Sequence, residues 1–223
     1  MTRVKLYTLP IRIWHWINAL LIFLLILTGA QLRVPGLPFF GHYSKAVWLH
    51  KYMGFCMVGS FIFWLVYVLF SGSLRSHYLM RIRDVRGMVR QAMFYMYGIF
   101  RGGINPFVPS PENKFNPMQK MAYFTVMVFF TPAILVTGIL FSDILYFAPY
   151  INALGGLRIL DALHVVFAYI FLLYLAIHLY MATLGHTILA HTKAMILGYE
   201  EEEGGESTEG GEVGRETEEE AIT

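Results

Sequence analysis

The chain has 223 residues, of which 57% are hydrophobic and only 14% charged, against about 25% charged in an average soluble domain. That deficit points to lipid as the main solvent and away from a water-soluble globular domain. The formal net charge of +2 hides an asymmetry: eleven of the fifteen acidic residues are glutamates between Glu200 and Glu220, whereas residues 1–199 carry sixteen Lys and Arg against Asp84, Glu112, Asp143 and Asp161. Cys56 stands alone, which excludes an internal disulfide, a Cys-ligated iron–sulfur cluster and a C-x-x-C-H attachment site.

In chain order, Arg3 and Lys5 precede a first apolar stretch over about 12–32. Its length and the Trp14-His15-Trp16 triplet within it fit a membrane-spanning helix better than a cleaved secretory signal. A second span is expected over 47–71, with no charge from Met53 to Ser71. The connection 72–120 follows, and within it residues 78–101 interleave arginines with apolar and aromatic residues. That pattern fits an amphipathic helix on the membrane surface and, equally, an ordinary basic loop. A third span is expected over 119–141, kinked at Pro132, and a fourth over 159–184. Residues 1–199 thus form one four-helix transmembrane domain, an all-α bundle. The Gly- and Glu-rich stretch 200–223 reads as a disordered acidic tail.

The loops assign an orientation. Segment 72–120 holds eight Lys and Arg, against Arg33 and Lys45 in the first connection and Arg158 in the third. The positive-inside rule makes the long loop cytoplasmic, and an even number of spans then puts both termini inside. The expected location is a bacterial inner membrane, crossed several times.

On that topology the histidines fall at two depths. His15 starts the first span near the cytoplasmic face, while His50 starts the second and His164 the fourth near the outer face. His178 lies fourteen residues after His164, about 3.9 turns and ~21 Å further along, so both rings point to nearly the same side. His50 can meet His164, and His15 can meet His178. Haem iron takes two axial imidazoles, and a six-coordinate haem of this kind shuttles electrons; two such sites stacked across a bilayer are what transmembrane electron transfer needs. A lone histidine in a membrane helix more simply hydrogen-bonds a neighbour. Four at two matched depths favour metal ligation, with His15, His50, His164 and His178 as the iron ligands. His42 and His77 read as surface residues, and His186 is a lesser alternative to His178. Gly54, Gly29, Gly59 and Gly138 leave room for a flat macrocycle or serve helix packing. Arg12, one turn before His15, pairs with a haem propionate or anchors the helix as a positive-inside residue.

Pro10-x-Arg12-x-Trp14-His15-Trp16-x-Asn18, followed by Leu27-Thr28-Gly29, resembles the first span of the prokaryotic dihaem cytochrome b subunits of formate dehydrogenases, nickel–iron hydrogenases and thiosulfate or polysulfide reductases. His50, the His164/His178 pair and Asn116-Pro117-Met118-Gln119-Lys120 are placed similarly to that family, over roughly residues 8–190. The resemblance implies two haem b groups and a site for menaquinone or ubiquinone beside the inner one. It also implies an iron–sulfur electron-transfer subunit and a catalytic subunit as partners. Hydrogenase members often have a further span, which tilts the reading toward the formate and thiosulfate branch.

Asn116, Gln119 and Lys120 sit at the cytoplasmic entrance to the third span, level with His15 and His178. Two amides there suit the oxygens of a quinone and Lys120 suits its orientation, although Asn116 is equally an N-cap of a polar helix start. No nucleotide, flavin or molybdenum motif occurs. The expected role is therefore an electron-transfer subunit linking an outer iron–sulfur oxidoreductase to the quinone pool. The competing expectations are a hydrogenase partner, a stand-alone transmembrane cytochrome, and a haem-free transporter or anchor.

Overall fold

A computed structural model describes residues 2–34, 36–72, 82–104, 106–107, 116–184 and 187–202. His77, His186 and residues 203–223 lie outside this set. Four helices are long and apolar enough to cross a membrane: Leu9–Arg33 (α1), Tyr43–Phe70 (α2), Pro117–Ser142 and Leu157–Ala182. At ~1.5 Å per residue each exceeds the ~30 Å of hydrocarbon to be crossed. Their outward faces carry large apolar side chains such as Phe23, Phe63, Leu69, Phe129 and Leu173, all exposed on the protein surface and suited to lipid.

The third span has three parts: α4 (Pro117–Thr125), a wide π turn (Val126–Phe130) and α5 (Thr131–Ser142). Pro132 carries no N–H, so an unbroken α-helix would leave the carbonyl four residues back without its donor. The π turn falls on those preceding residues, so the expected kink takes the form of a local widening of the helix.

Polar side chains fasten α1 to α2. The Trp14 indole donates to the Ser60 carbonyl at 3.0 Å, and the Asn18 amide donates to the Ser60 hydroxyl at 2.7 Å. At the opposite end of these helices, Gln31 donates to the Gly41 carbonyl and accepts from the Phe40 N–H, pinning the connection back onto α1. The Lys51 ammonium donates to the Ser142 carbonyl at 2.7 Å and ties α2 to the end of α5. Near that end a short helix, α6 (Ala148–Ala153), packs Ile151 with Leu140 and Leu160 into a small apolar core. The fourth long helix, α7 (Leu157–Ala182), has α5 as its closest helical neighbour within the membrane.

The basic connection contains a helix, α3 (Ile82–Met93), continued by a π turn (Phe94–Gly98) and a 3₁₀ turn (Ile99–Arg101). It approaches the start of α4 so closely that a Cβ on Gly87 would meet Pro117 at 2.8 Å. Residues 82–101 of the stretch 78–101 are helical and pack against α4, while 78–81 lie outside the described residues.

The four long helices make the all-α architecture, and one short antiparallel pair sits beside them: Thr2–Lys5 (β1) with Tyr199–Glu202 (β2). Glu200–Glu202, expected to begin the acidic tail, therefore belong to a strand. The register sets Arg3 opposite Glu201. The strand follows α8 (Ala190–Leu197) through Gly198, whose φ of 93° is open to glycine at little cost. The Arg12 guanidinium donates to the Ile196 carbonyl and closes the last turn of α8. The two strands thus lie together at one end of the bundle, here the terminal end; the other is the far end.

Candidate haem-ligating centre

The two histidine pairs expected from depth are the pairs the fold brings together. At the terminal end the rings of His15 on α1 and His178 on α7 lie with centroids 6.2 Å apart and planes at 49°. At the far end His50 on α2 and His164 on α7 lie 6.3 Å apart at 79°. Two imidazole nitrogens bound to opposite sides of one metal at about 2 Å each place their ring centroids about 6 Å apart. Both pairs have that separation. A single helix, α7, supplies one member of each.

The surroundings match a bulky planar group better than a bare ion. No group of three or more His, Cys, Asp or Glu able to hold a metal occurs among the described residues. Two protein ligands per site are enough where a macrocycle supplies the rest of the coordination. The apolar stretch of α7 has no buried residue, and the helix packs mainly on α5. Gly54, one turn beyond His50, and Gly59 have nothing within 4 Å of the position a Cβ would occupy.

Gly29 and Gly138 face the histidines of neighbouring helices. A Cβ on Gly29 would meet Cε1 of His50 at 3.4 Å, and one on Gly138 would meet Cε1 of His164 at the same distance. These glycines therefore admit the imidazole rings themselves. The threonine before each glycine completes the arrangement: Thr28 Oγ1 lies 2.8 Å from His50 Nδ1, and Thr137 Oγ1 lies 2.9 Å from His164 Nδ1. Sequence reasoning quoted Thr28-Gly29 only as part of a motif and passed over Thr137. The signal that was available is the repetition of Thr-Gly on two helices.

The terminal-end pair is built otherwise. His15 packs edge-on against Trp16 at 5.1 Å, and Tyr174 stacks on His178 at 6.0 Å. Nδ1 of His15 is buried with no hydrogen-bond partner among the described residues, as is Nε of Arg12 one turn earlier.

Asn116, Gln119 and Lys120 lie at the start of α4, on the terminal end with His15 and His178. Asn116 and Gln119 form a capping box: Asn116 Oδ1 accepts from the Gln119 N–H at 2.8 Å, and Gln119 Oε1 accepts from the Asn116 N–H at 3.1 Å. The Asn116 amide also donates to the Tyr95 hydroxyl at 3.0 Å, and Gln91, Asn116 and Lys120 are all buried. Burial raises the Tyr95 phenol above its ordinary pKa, while hydrogen bonds with Gln91 and Asn116 pull it back. The phenol therefore stays protonated at neutral pH. Arg12, expected beside a propionate, also caps α8 as described above.

Apolar helices carrying paired histidines at two depths are the arrangement expected of a membrane-embedded b-type cytochrome. Comparison with known proteins places it: the model of the prokaryotic cytochrome b561 family matches residues 6–198, and the chain belongs to that family. It is 33% identical over 201 residues to the protein named cytochrome YdhU of Escherichia coli (strain K12), covering 88% of this chain and 74% of that one. It is 28% identical over 158 residues to a protein of Rhizobium leguminosarum bv. viciae named as a Ni/Fe-hydrogenase B-type cytochrome subunit, covering 68% and 62%. The protein is accordingly a multi-pass membrane electron-transfer cytochrome, and its family implies haem b.

Proposed function

We propose that the chain is the membrane subunit of a respiratory complex and binds two haem b groups, one between His50 and His164 and one between His15 and His178. In this role it carries electrons across a bacterial inner membrane between an iron–sulfur oxidoreductase on the outer side and the quinone pool. The observation that carries this reading is the pair of histidine contacts, 6.2 and 6.3 Å between centroids, held at two levels by α7. Bis-imidazole haem b exchanges single electrons without taking up small ligands.

The chain's own residues do the rest. Fourteen residues along α7 separate the two ligand levels by ~21 Å, most of the hydrocarbon thickness. Eight Lys and Arg in segment 72–120, with Arg3, Lys5 and Arg12, support a cytoplasmic position for the terminal end. Beside the terminal-end pair, Nε of Arg12 offers a buried donor to a propionate. At the same end Gln119, Lys120 and the capping amide of Asn116, with the neutral Tyr95 phenol, supply hydrogen-bonding groups for the oxygens of menaquinone or ubiquinone. That end also faces the water from which a reduced quinone takes its protons.

The outer partner is of the formate dehydrogenase or thiosulfate and polysulfide reductase type, with an iron–sulfur subunit and a catalytic subunit. A hydrogenase partner is the second reading, favoured by the name of the Rhizobium relative. The test is to purify the chain in mild detergent, record its dithionite-reduced minus oxidised spectrum and count haem as the pyridine haemochrome. Two b haems per chain are expected. A colourless protein from haem-replete cells contradicts the proposal and leaves a haem-free transporter or anchor in its place.

A further inference from the structure

The threonines at the far end do more than fill space. Each hydroxyl has one proton to give. Thr28 Oγ1 donates it to its own helix, at 2.7 Å from the Leu24 carbonyl and 3.2 Å from that of Leu25. Thr137 Oγ1 does the same at 2.9 Å from the Ala133 carbonyl and 3.0 Å from that of Ile134. This back-bonding to the preceding turn is a recurring geometry of threonine within a helix. With the proton so placed, the oxygen faces the imidazole with lone pairs only, and the contact to Nδ1 of His50 or His164 requires the histidine to be the donor. A neutral imidazole has one N–H, so both rings carry it on Nδ1 and present a bare Nε2. Gly29 and Gly138 leave open the positions at which a Cβ would come within 3.4 Å of Cε1 of His50 and His164. Thr28 and Thr137 are themselves buried, which shields these hydrogen bonds from competing water.

We propose that Thr28 and Thr137 are positioning residues for the far-end haem: they lock His50 and His164 as Nε2 ligands and lower the reduction potential of the iron between them. The proposal rests on the dihaem reading above. An acceptor on the free N–H of a ligating histidine makes the imidazole a stronger electron donor, which favours ferric over ferrous iron. Symmetry strengthens the case, since both axial ligands of one site are treated identically by residues from two different helices, α1 and α5. The terminal-end site has no such pair of hydroxyls among the described residues, so the two sites differ in how their ligands are held.

The test uses the full chain in detergent with Thr28→Val, Thr137→Val, the double valine variant, and Thr28→Ser and Thr137→Ser. Haem is counted, and a redox titration followed by absorbance resolves two one-electron waves. The valine variants are expected to raise one wave and leave the other in place. A tenfold change in the ferric-to-ferrous balance corresponds to about 59 mV. The double variant moves the same wave further, and the serine variants restore the wild-type potential. Two haems with both waves unmoved in the valine variants overturn the proposal. If a valine variant loses one haem, the serine variants decide: retention at the wild-type potential supports the role of the hydroxyl, and loss in serine as well overturns it. A wild-type chain without haem overturns the dihaem reading itself, a result distinct from unmoved waves.

Discussion

The two ends of α7 present the same ligand in two settings. At the far end His164 and its partner His50 each meet a buried threonine hydroxyl and lie against a glycine. At the terminal end His178 and His15 are framed by aromatic rings, and Nδ1 of His15 is buried without a partner among the described residues. A histidine pair can thus be held by directed hydrogen bonds or by packing alone. Only the first fixes which nitrogen carries the proton, because packing acts on ring shape and a hydrogen bond acts on the tautomer.

The largest expected effect breaks the far end selectively. Gly29→Val and Gly138→Val add branched carbon where a Cβ alone already meets an imidazole at 3.4 Å. Each variant is expected to retain one haem in place of two, read as pyridine haemochrome per chain. Unchanged haem in both would mean the rings are free to move aside and the far end is no tighter than the other.

A smaller effect is expected at the termini, remote from both pairs. Gly198→Ala forces a side chain into a left-handed backbone, with Cβ 3.0 Å from the Tyr7 carbonyl and the Arg12 guanidinium. Strain of this kind costs about 1–3 kcal/mol. It should lower the thermal midpoint in detergent while leaving two haems and both waves, which sharpens the separation between scaffold and site. Loss of the terminal-end haem instead would show that the Arg12 contact to α8 supports His15.

Asn116→Ala removes the capping box of α4 at a cost of about 1 kcal/mol, and Asn116→Ser should recover most of it. Thermal denaturation measures both. Should the alanine variant keep full stability but lose quinol-dependent reduction of the haems, the amide serves the quinone more than the helix. The smallest effect is expected from Arg33→Ala at the far end. Its 3.4 Å pair with Asp161 is exposed on both sides, so about 0–1 kcal/mol is at stake, and the far-end wave should stay in place.

Much of this organisation is legible in the sequence, for physical reasons that differ by feature. Apolar runs of spanning length identify the four long helices because lipid tolerates few exceptions. The depth and fourteen-residue spacing of His164 and His178 give the histidine pairing because a helix converts spacing into position. Asn116 as a cap is readable three residues ahead of Gln119, since the box is local. Thr28 and Thr137 as acceptors are not readable in the same way. Their role exists only once α1 meets α2 and α5 meets α7, and a threonine in an apolar helix otherwise satisfies itself on its own backbone. The β1–β2 pairing is equally hidden, because Glu200–Glu202 have the composition of a disordered tail and become a strand only through residues 2–5 at the other end of the chain.

The central claim is that two separate haem sites are each made by one histidine from α7 and one from another helix. The most direct measurement is the haem content and redox titration of His15→Ala, His178→Ala, His50→Ala and His164→Ala. The account predicts one remaining haem in every variant, with His15 and His178 losing the same wave and His50 and His164 losing the other. Variants that lose waves in any other pairing, or that keep two haems, would contradict it.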